Sequence, residues 1–241
     1  MKIVAIGGGE IGRPGTEIET REIDKEVIKL SGKKHPRVLL LPTASGDSEL
    51  YYPTFERYYG KILGCETDVL YLVKQKPTLA EIKKKILAAD IIYVGGGNTM
   101  KMLKVWRKLG VDKILEKAAE QGKILSGLSA GAICWFKYGN SDSIPGKLIK
   151  LRGLNFVDLM LCPHYDAEEG RRPSLKKVIM KSGGFALALD NCFALEIVGD
   201  EYRIITSSSK AKAYRVYKRN GKVIEEQLKI TPEFRPLGEL K

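Results

Sequence analysis

Short, nearly unbroken apolar runs alternate with stretches of helical period through the first 130 residues. The runs lie at residues 2–6, 37–41, 68–72, 90–94 and 123–126. A strand covered on both faces has no polar side, so such runs predict parallel strands in a buried sheet. Between them, residues 18–30 set Ile23, Val27 and Leu30 on one helix face, with Gly32 as a stop. Residues 49–63, 78–88, 98–109 and 111–121 also predict helices, and Thr78-Leu79-Ala80-Glu81 has the spacing of a capping box. Beyond residue 184 the runs shorten, with predicted strands at 185–189, 192–198, 202–206, 211–218 and 223–230. Gly199-Asp200 and Asn220-Gly221 have hairpin-turn chemistry.

Regular β-α alternation on short links predicts an α/β fold, a three-layer, mostly parallel sheet flanked by helices. The C-terminal strands are expected to extend that sheet as antiparallel edges. No linker, repeat or low-complexity tract interrupts the pattern, so residues 1–241 are expected to form a single domain.

Composition narrows the function classes. No apolar run reaches the about 18 residues of a membrane span, and the first strand opens without a signal-peptide pattern. A cytoplasmic location and no membrane partner are the expectation. Cys65, Cys134, Cys162 and Cys192 are scattered without a C-x-x-C, which predicts reduced thiols, no zinc site and no cofactor metal. The net charge of +12 comes with no nucleic-acid motif and no aromatic–arginine cluster. It argues for solubility and nonspecific attraction, not specific nucleic-acid binding.

Four loops fall at the carboxyl ends of predicted strands, where α/β sheets bind ligands. They are Gly7-Gly8-Gly9-Glu10, residues 42–47, Gly95-Gly96-Gly97-Asn98-Thr99, and Gly127-Leu128-Ser129-Ala130-Gly131. The glycine loops are weak as phosphate cradles, because neither is a full G-x-G-x-x-G before a helix. The last loop is stronger. A strand, one serine between glycines and a following helix make a nucleophile elbow, which predicts Ser129 as a nucleophile. Its base has two candidates. His35 precedes a strand, at the wrong end of the sheet; His164 follows an apolar run and Pro163, where a strand-end loop would bring it to the elbow. The acid orienting that imidazole stays open among Asp142 and Asp190, with Asp158 and Asp166 weaker. A backbone N–H in Gly95–Gly97 could join that of Ala130 in an oxyanion hole.

Three motifs, Gly95–Thr99, Gly127–Ala132 and Pro163-His164-Tyr165, resemble in order and spacing those of the peptidase E and cyanophycinase family of serine peptidases. The resemblance covers about residues 2–198. It implies a fold like class I glutamine amidotransferases, with serine in place of their cysteine. It implies hydrolysis of short peptides, above all dipeptides with N-terminal Asp, through an acyl-enzyme on Ser129. Asp142 falls in a segment like the family's essential-aspartate stretch. Asn191 stands where the family usually has the acid of its triad, which is a departure. The resemblance also implies Gly97 and Ala130 as the oxyanion donors and Asn98, Arg171 and Arg172 as substrate-binding residues, one or other of the two arginines receiving the aspartate carboxylate. The expected partner is therefore a short peptide, with a homodimer compatible. Competing expectations are a β-aspartyl-arginine hydrolase, an esterase or amidotransferase-like hydrolase, and a degenerate binding protein.

Overall fold

Five strands carry the unbroken apolar runs: β1 (Lys2–Ile6), β2 (Arg37–Leu41), β3 (Glu66–Val69), β4 (Ile91–Val94) and β5 (Ile124–Leu128). In the computed structural model, which describes all 241 residues, they pair in parallel in the order β1-β5-β4-β2-β3. Helices α1 (Arg21–Leu30), α2 (Tyr51–Phe55), α3 (Leu79–Ala88), α4 (Thr99–Leu109) and α5 (Val111–Glu120) connect them. The Thr78 side chain and Glu81 close the reciprocal cap of α3. The expected helix from residue 49 runs as α2 and then widens into a π-helix over Glu56–Ile62. No helix is long and apolar enough to cross a membrane.

The expected helix after the elbow is only α6 (Ala130–Ile133), and the apolar run then becomes a strand. That strand, β6 (Phe136–Ile144), begins a second sheet with β7 (Lys147–Arg152) and β8 (Val157–Cys162). Helix α7 (Arg171–Ser182) follows. The remaining strands are β9 (Phe185–Leu189), β10 (Phe193–Val198), β11 (Glu201–Thr206), β12 (Ala213–Arg219), β13 (Lys222–Gln227) and β14 (Arg235–Pro236). They do not all extend the first sheet, as the sequence predicts. β10, β11 and β14 do, as antiparallel strands beyond β1, whereas β9, β12 and β13 join β6–β8 in order β13-β12-β9-β8-β6-β7. The reason lies in pairing partners. β9 finds a parallel neighbour in β8, and both then bury Leu161, Leu187 and Leu189 in one apolar cluster with Leu125, Leu195 and Ile197 of the first sheet.

The other face of the first sheet packs Val4, Ile6, Val38 and Leu40 against Ile23 and Val27 of α1 and Phe55 of α2. Asp24 is buried within that layer and accepts three hydroxyl bonds: Thr20 at 2.7 Å, Tyr58 at 2.9 Å and Tyr59 at 2.5 Å. Burial outweighs these bonds and raises its carboxyl to about 6, against 3.8 in the unfolded chain. The folded state then holds this proton more tightly than the unfolded one. The stabilisation is fully present below about pH 4 and is lost as pH rises through about 6. Relative to Asp24→Asn, the native chain should therefore gain about 2–2.5 kcal/mol on going from pH 7.5 to pH 4, read by urea unfolding at both values. An equal difference at the two pH values would refute this.

Candidate active site

Ser129 follows β5 directly and has φ 55° and ψ −112°. This is the backbone form of the first central residue of a type II′ turn, where glycine is the rule. A side chain held there stores about 1–3 kcal/mol of strain, which the surroundings must enforce. They do so by close approach. A Cβ on Gly131 would lie 2.1 Å from the Val94 carbonyl oxygen, and one on Gly127 would lie 2.6 Å from it. Only bare backbone lets the turn sit so near β4. The Ser129 N–H is tied to the Ile6 carbonyl at 3.1 Å, which fixes the turn to β1 as well.

His164 lies just after β8, with φ 84°. It shares with Ser129 a cleft of about 780 Å³, also lined by Glu10, Arg13, Gly97 and Asn191. No direct Ser129–His164 hydrogen bond is present, and such bonds often tighten only when substrate fills a site. The ring's other nitrogen is engaged: Nδ1 lies 2.8 Å from Asn191 Oδ1. With the amide oxygen facing the ring, Nδ1–H donates and Nε2 keeps its lone pair, the tautomer a general base needs. Asp166 in turn accepts the Asn191 N–H at 2.9 Å. Cys192, next in the chain, is a third residue with positive φ, at 61°. Strain thus gathers on three non-glycine residues at or beside one cleft.

The candidate acids lie elsewhere. Asp142, on β6, is 3.6 Å from the Arg171 guanidinium and does not line the cleft. Asp190 Oδ2 accepts the Lys212 N–H at 2.8 Å, and Oδ1 is buried without a partner. Desolvation raises its carboxyl to about 6. The place on the imidazole belongs to its neighbour, because β9 ends at Leu189 and the turn into β10 points Asn191 back at the ring. Asp158 pairs with Lys137 and Lys241, and His35 bonds the Gly64 carbonyl.

The loop after β4 brings Gly97 beside the elbow. Gly97 has φ +135°, and a Cβ there would lie 2.3 Å from the Ala44 carbonyl oxygen. Its N–H has no protein acceptor, since the neighbouring bonds run from Gly96 to the Tyr51 hydroxyl and from Asn98 to the Ala44 carbonyl. Ala130, first residue of α6, has the free N–H of a helix start. The pair is therefore available to a developing oxyanion.

The expected substrate-binding side chains are spent on structure. Asn98 caps α4 through the Lys101 N–H and donates to the Ser143 carbonyl at 2.9 Å. Arg171 is 1% exposed, bonded to Glu168 and the Asn140 carbonyl, beside Asp142. Arg172 stacks on Tyr165 and Tyr214 and faces Glu225 at 3.4 Å. None of the three lines the cleft. The residues that do, and that sequence reasoning passed over, are Glu10, Arg13, Glu19 and Tyr51. Their signal was position: the first three follow the carboxyl end of β1.

The sequence profile described as Peptidase family S51 matches residues 3–205. The chain is 37% identical over 233 residues to the uncharacterised peptidase YgaJ of Bacillus subtilis (strain 168), covering 95% of this chain and 97% of that one. It is 32% identical over 154 residues to the uncharacterised peptidase Lmo0363 of Listeria monocytogenes serovar 1/2a, covering 59% and 74%. A solved peptidase from an acI-B1 actinobacterium superposes with a TM-score of 0.75 at 19% identity, over 98% of this chain and 96% of that one. At that identity the likeness is one of fold.

Proposed function

The chain belongs to peptidase family S51, and we propose that it is a serine-type member that hydrolyses short peptides, dipeptides with N-terminal Asp foremost. The observation that carries the reading is the strained Ser129 on the same cleft as a histidine whose Nδ1 is already bonded. In the proposed reaction His164 Nε2 takes the Ser129 hydroxyl proton as Oγ attacks the scissile carbonyl. The oxyanion rests on the Gly97 and Ala130 N–H groups. The imidazolium then protonates the leaving amine, and the carbonyl carbon stays on Oγ as an ester. Water, deprotonated by the same imidazole, attacks that ester; the C–Oγ bond breaks, the imidazolium returns the proton to Oγ, and the acid leaves with Ser129 restored.

Asn191 does part of what a carboxylate does. It holds the ring in one orientation and one tautomer, but it brings no negative charge to the imidazolium. A serine-directed phosphonate tests the assignment. The native protein should gain one adduct, located on Ser129 by peptide mass spectrometry, at a rate that falls at least about hundredfold in His164→Ala. Failure of any phosphonate to label Ser129 would remove the serine mechanism and favour a binding role.

A further inference from the structure

Among side chains lining the Ser129 cleft, Arg13 carries the only permanent positive charge. Its guanidinium grips Glu10 in a two-pronged pair, Nε to Oε2 at 2.7 Å and Nη2 to Oε1. Both belong to the loop between β1 and α1. The base of that loop is tied: Ile11 bridges Ile18, the Glu19 N–H donates to the Glu10 carbonyl at 2.7 Å, and Arg57 bonds the Gly12 carbonyl. Its tip, Arg13-Pro14-Gly15-Thr16, turns at Gly15 with φ +85° and nothing within 4 Å of where a Cβ would be. The Arg13 side chain is 66% exposed and that of Glu10 is 25% exposed.

We propose that Arg13 is the specificity residue of this cleft: it exchanges Glu10 for a carboxylate of the peptide substrate, and Glu10, once released, receives the substrate's α-ammonium. The inference deepens the peptidase reading of the same cleft and rests on it. Three facts carry it. A guanidinium matches a carboxylate with two parallel bonds, as it already does with Glu10. Exchange sets one carboxylate in place of another on the same two-pronged guanidinium, so the bonds Arg13 gives up to Glu10 are regained from the substrate. A short peptide is a zwitterion, and the cleft offers one guanidinium next to carboxylates: Glu10, freed by the exchange, and Glu19, which already accepts the Glu10 N–H at 3.0 Å. Arg171 and Arg172, committed to Glu168, Asp142 and Glu225, leave no second guanidinium to compete for the role.

Binding can be measured without turnover in a Ser129→Ala parent, by calorimetry with Asp-Leu, Asn-Leu, Asp-Leu amide and N-acetyl-Asp-Leu. Arg13→Ala in that parent should weaken Asp-Leu about tenfold or more, and Arg13→Lys should restore part of it. Whichever neutral analogue is indifferent to Arg13→Ala, Asn-Leu or Asp-Leu amide, identifies the carboxylate that Arg13 receives. Glu10→Gln should shift preference from Asp-Leu toward N-acetyl-Asp-Leu. Affinity for Asp-Leu unchanged in Arg13→Ala, no shift of preference in Glu10→Gln, or no binding of any of these peptides to the parent would overturn the inference. Phosphonate labelling of the native protein judges Ser129 separately. Labelling without an Arg13 effect removes this inference alone, whereas an Arg13 effect without labelling removes only the serine mechanism.

Discussion

Replacing Ser129 by glycine should abolish peptide turnover and at the same time raise the melting temperature. Loss of a catalytic serine costs about 10⁴–10⁶ in kcat where it acts with a histidine as a unit. The thermal gain has a separate cause. At φ 55° and ψ −112° a Cβ is strained by about 1–3 kcal/mol, and glycine removes that strain. Glycine's greater freedom in the unfolded chain takes back about 0.5–1 kcal/mol. At about 2–4 °C per kcal/mol for a chain of this size, the net shift is a few degrees upward. Ser129→Ala is the control: it loses the hydroxyl but keeps the Cβ, so it should be equally inactive without the thermal gain. Peptide turnover and calorimetric melting of both variants check this. Appreciable turnover in Ser129→Ala would contradict the mechanism; a Ser129→Gly that melts below the native chain would contradict the strain.

Gly8→Ala should cost about a hundredfold or more in kcat while leaving the fold in place. The Gly8 backbone is compatible with any residue, but a Cβ there would lie 2.1 Å from Asn191 Oδ1 and 2.3 Å from His164 Nδ1. The added methyl therefore displaces the His164–Asn191 pair itself. A shift of about 1 Å in a reacting group costs on the order of 10² in rate. The pair lies at the rim of a cleft, where side chains can move aside, so the melting temperature should fall only slightly. Steady-state kinetics and a melting curve decide it. Activity within threefold of native would show that the ring needs no support from Asn191.

Much of this was legible in the chain because local physics dictated it. Thr78 with Glu81 three positions on can hardly do anything but cap a helix, and the run at 37–41 has no polar face to expose. The elbow was legible for the same reason, since serine between glycines after a strand leaves few conformations. The split into two sheets was not. The residues of β9 and β10 are similarly apolar, and nothing local decides that one pairs with β8 and the other with β1. Residues 132–136 read equally well as buried helix or buried strand. Arg171 misled for another reason: a charged side chain is assumed available, and only tertiary pairing shows it buried against Glu168 and Asp142. Asn191 was visible as a departure from the family pattern, but its bond to the ring depends on how the turn between β9 and β10 folds back. Of the polar residues after β1, Glu10 lay in a loop already marked by its place at the sheet's end, whereas Arg13 fell beyond that loop and Glu19 within the predicted helix; side-chain direction at such positions is not written in spacing.

The cleft is built across a seam. The chain leaves the first sheet at Ser129 and returns to it through Asn191, while His164 hangs from the end of β8 in the second. Hydroxyl and imidazole are thus carried by different slabs, held in alignment by the leucines between them. A substitution deep in that shared layer, touching nothing in the cleft, would tilt one slab against the other and unmake the reaction geometry from a distance.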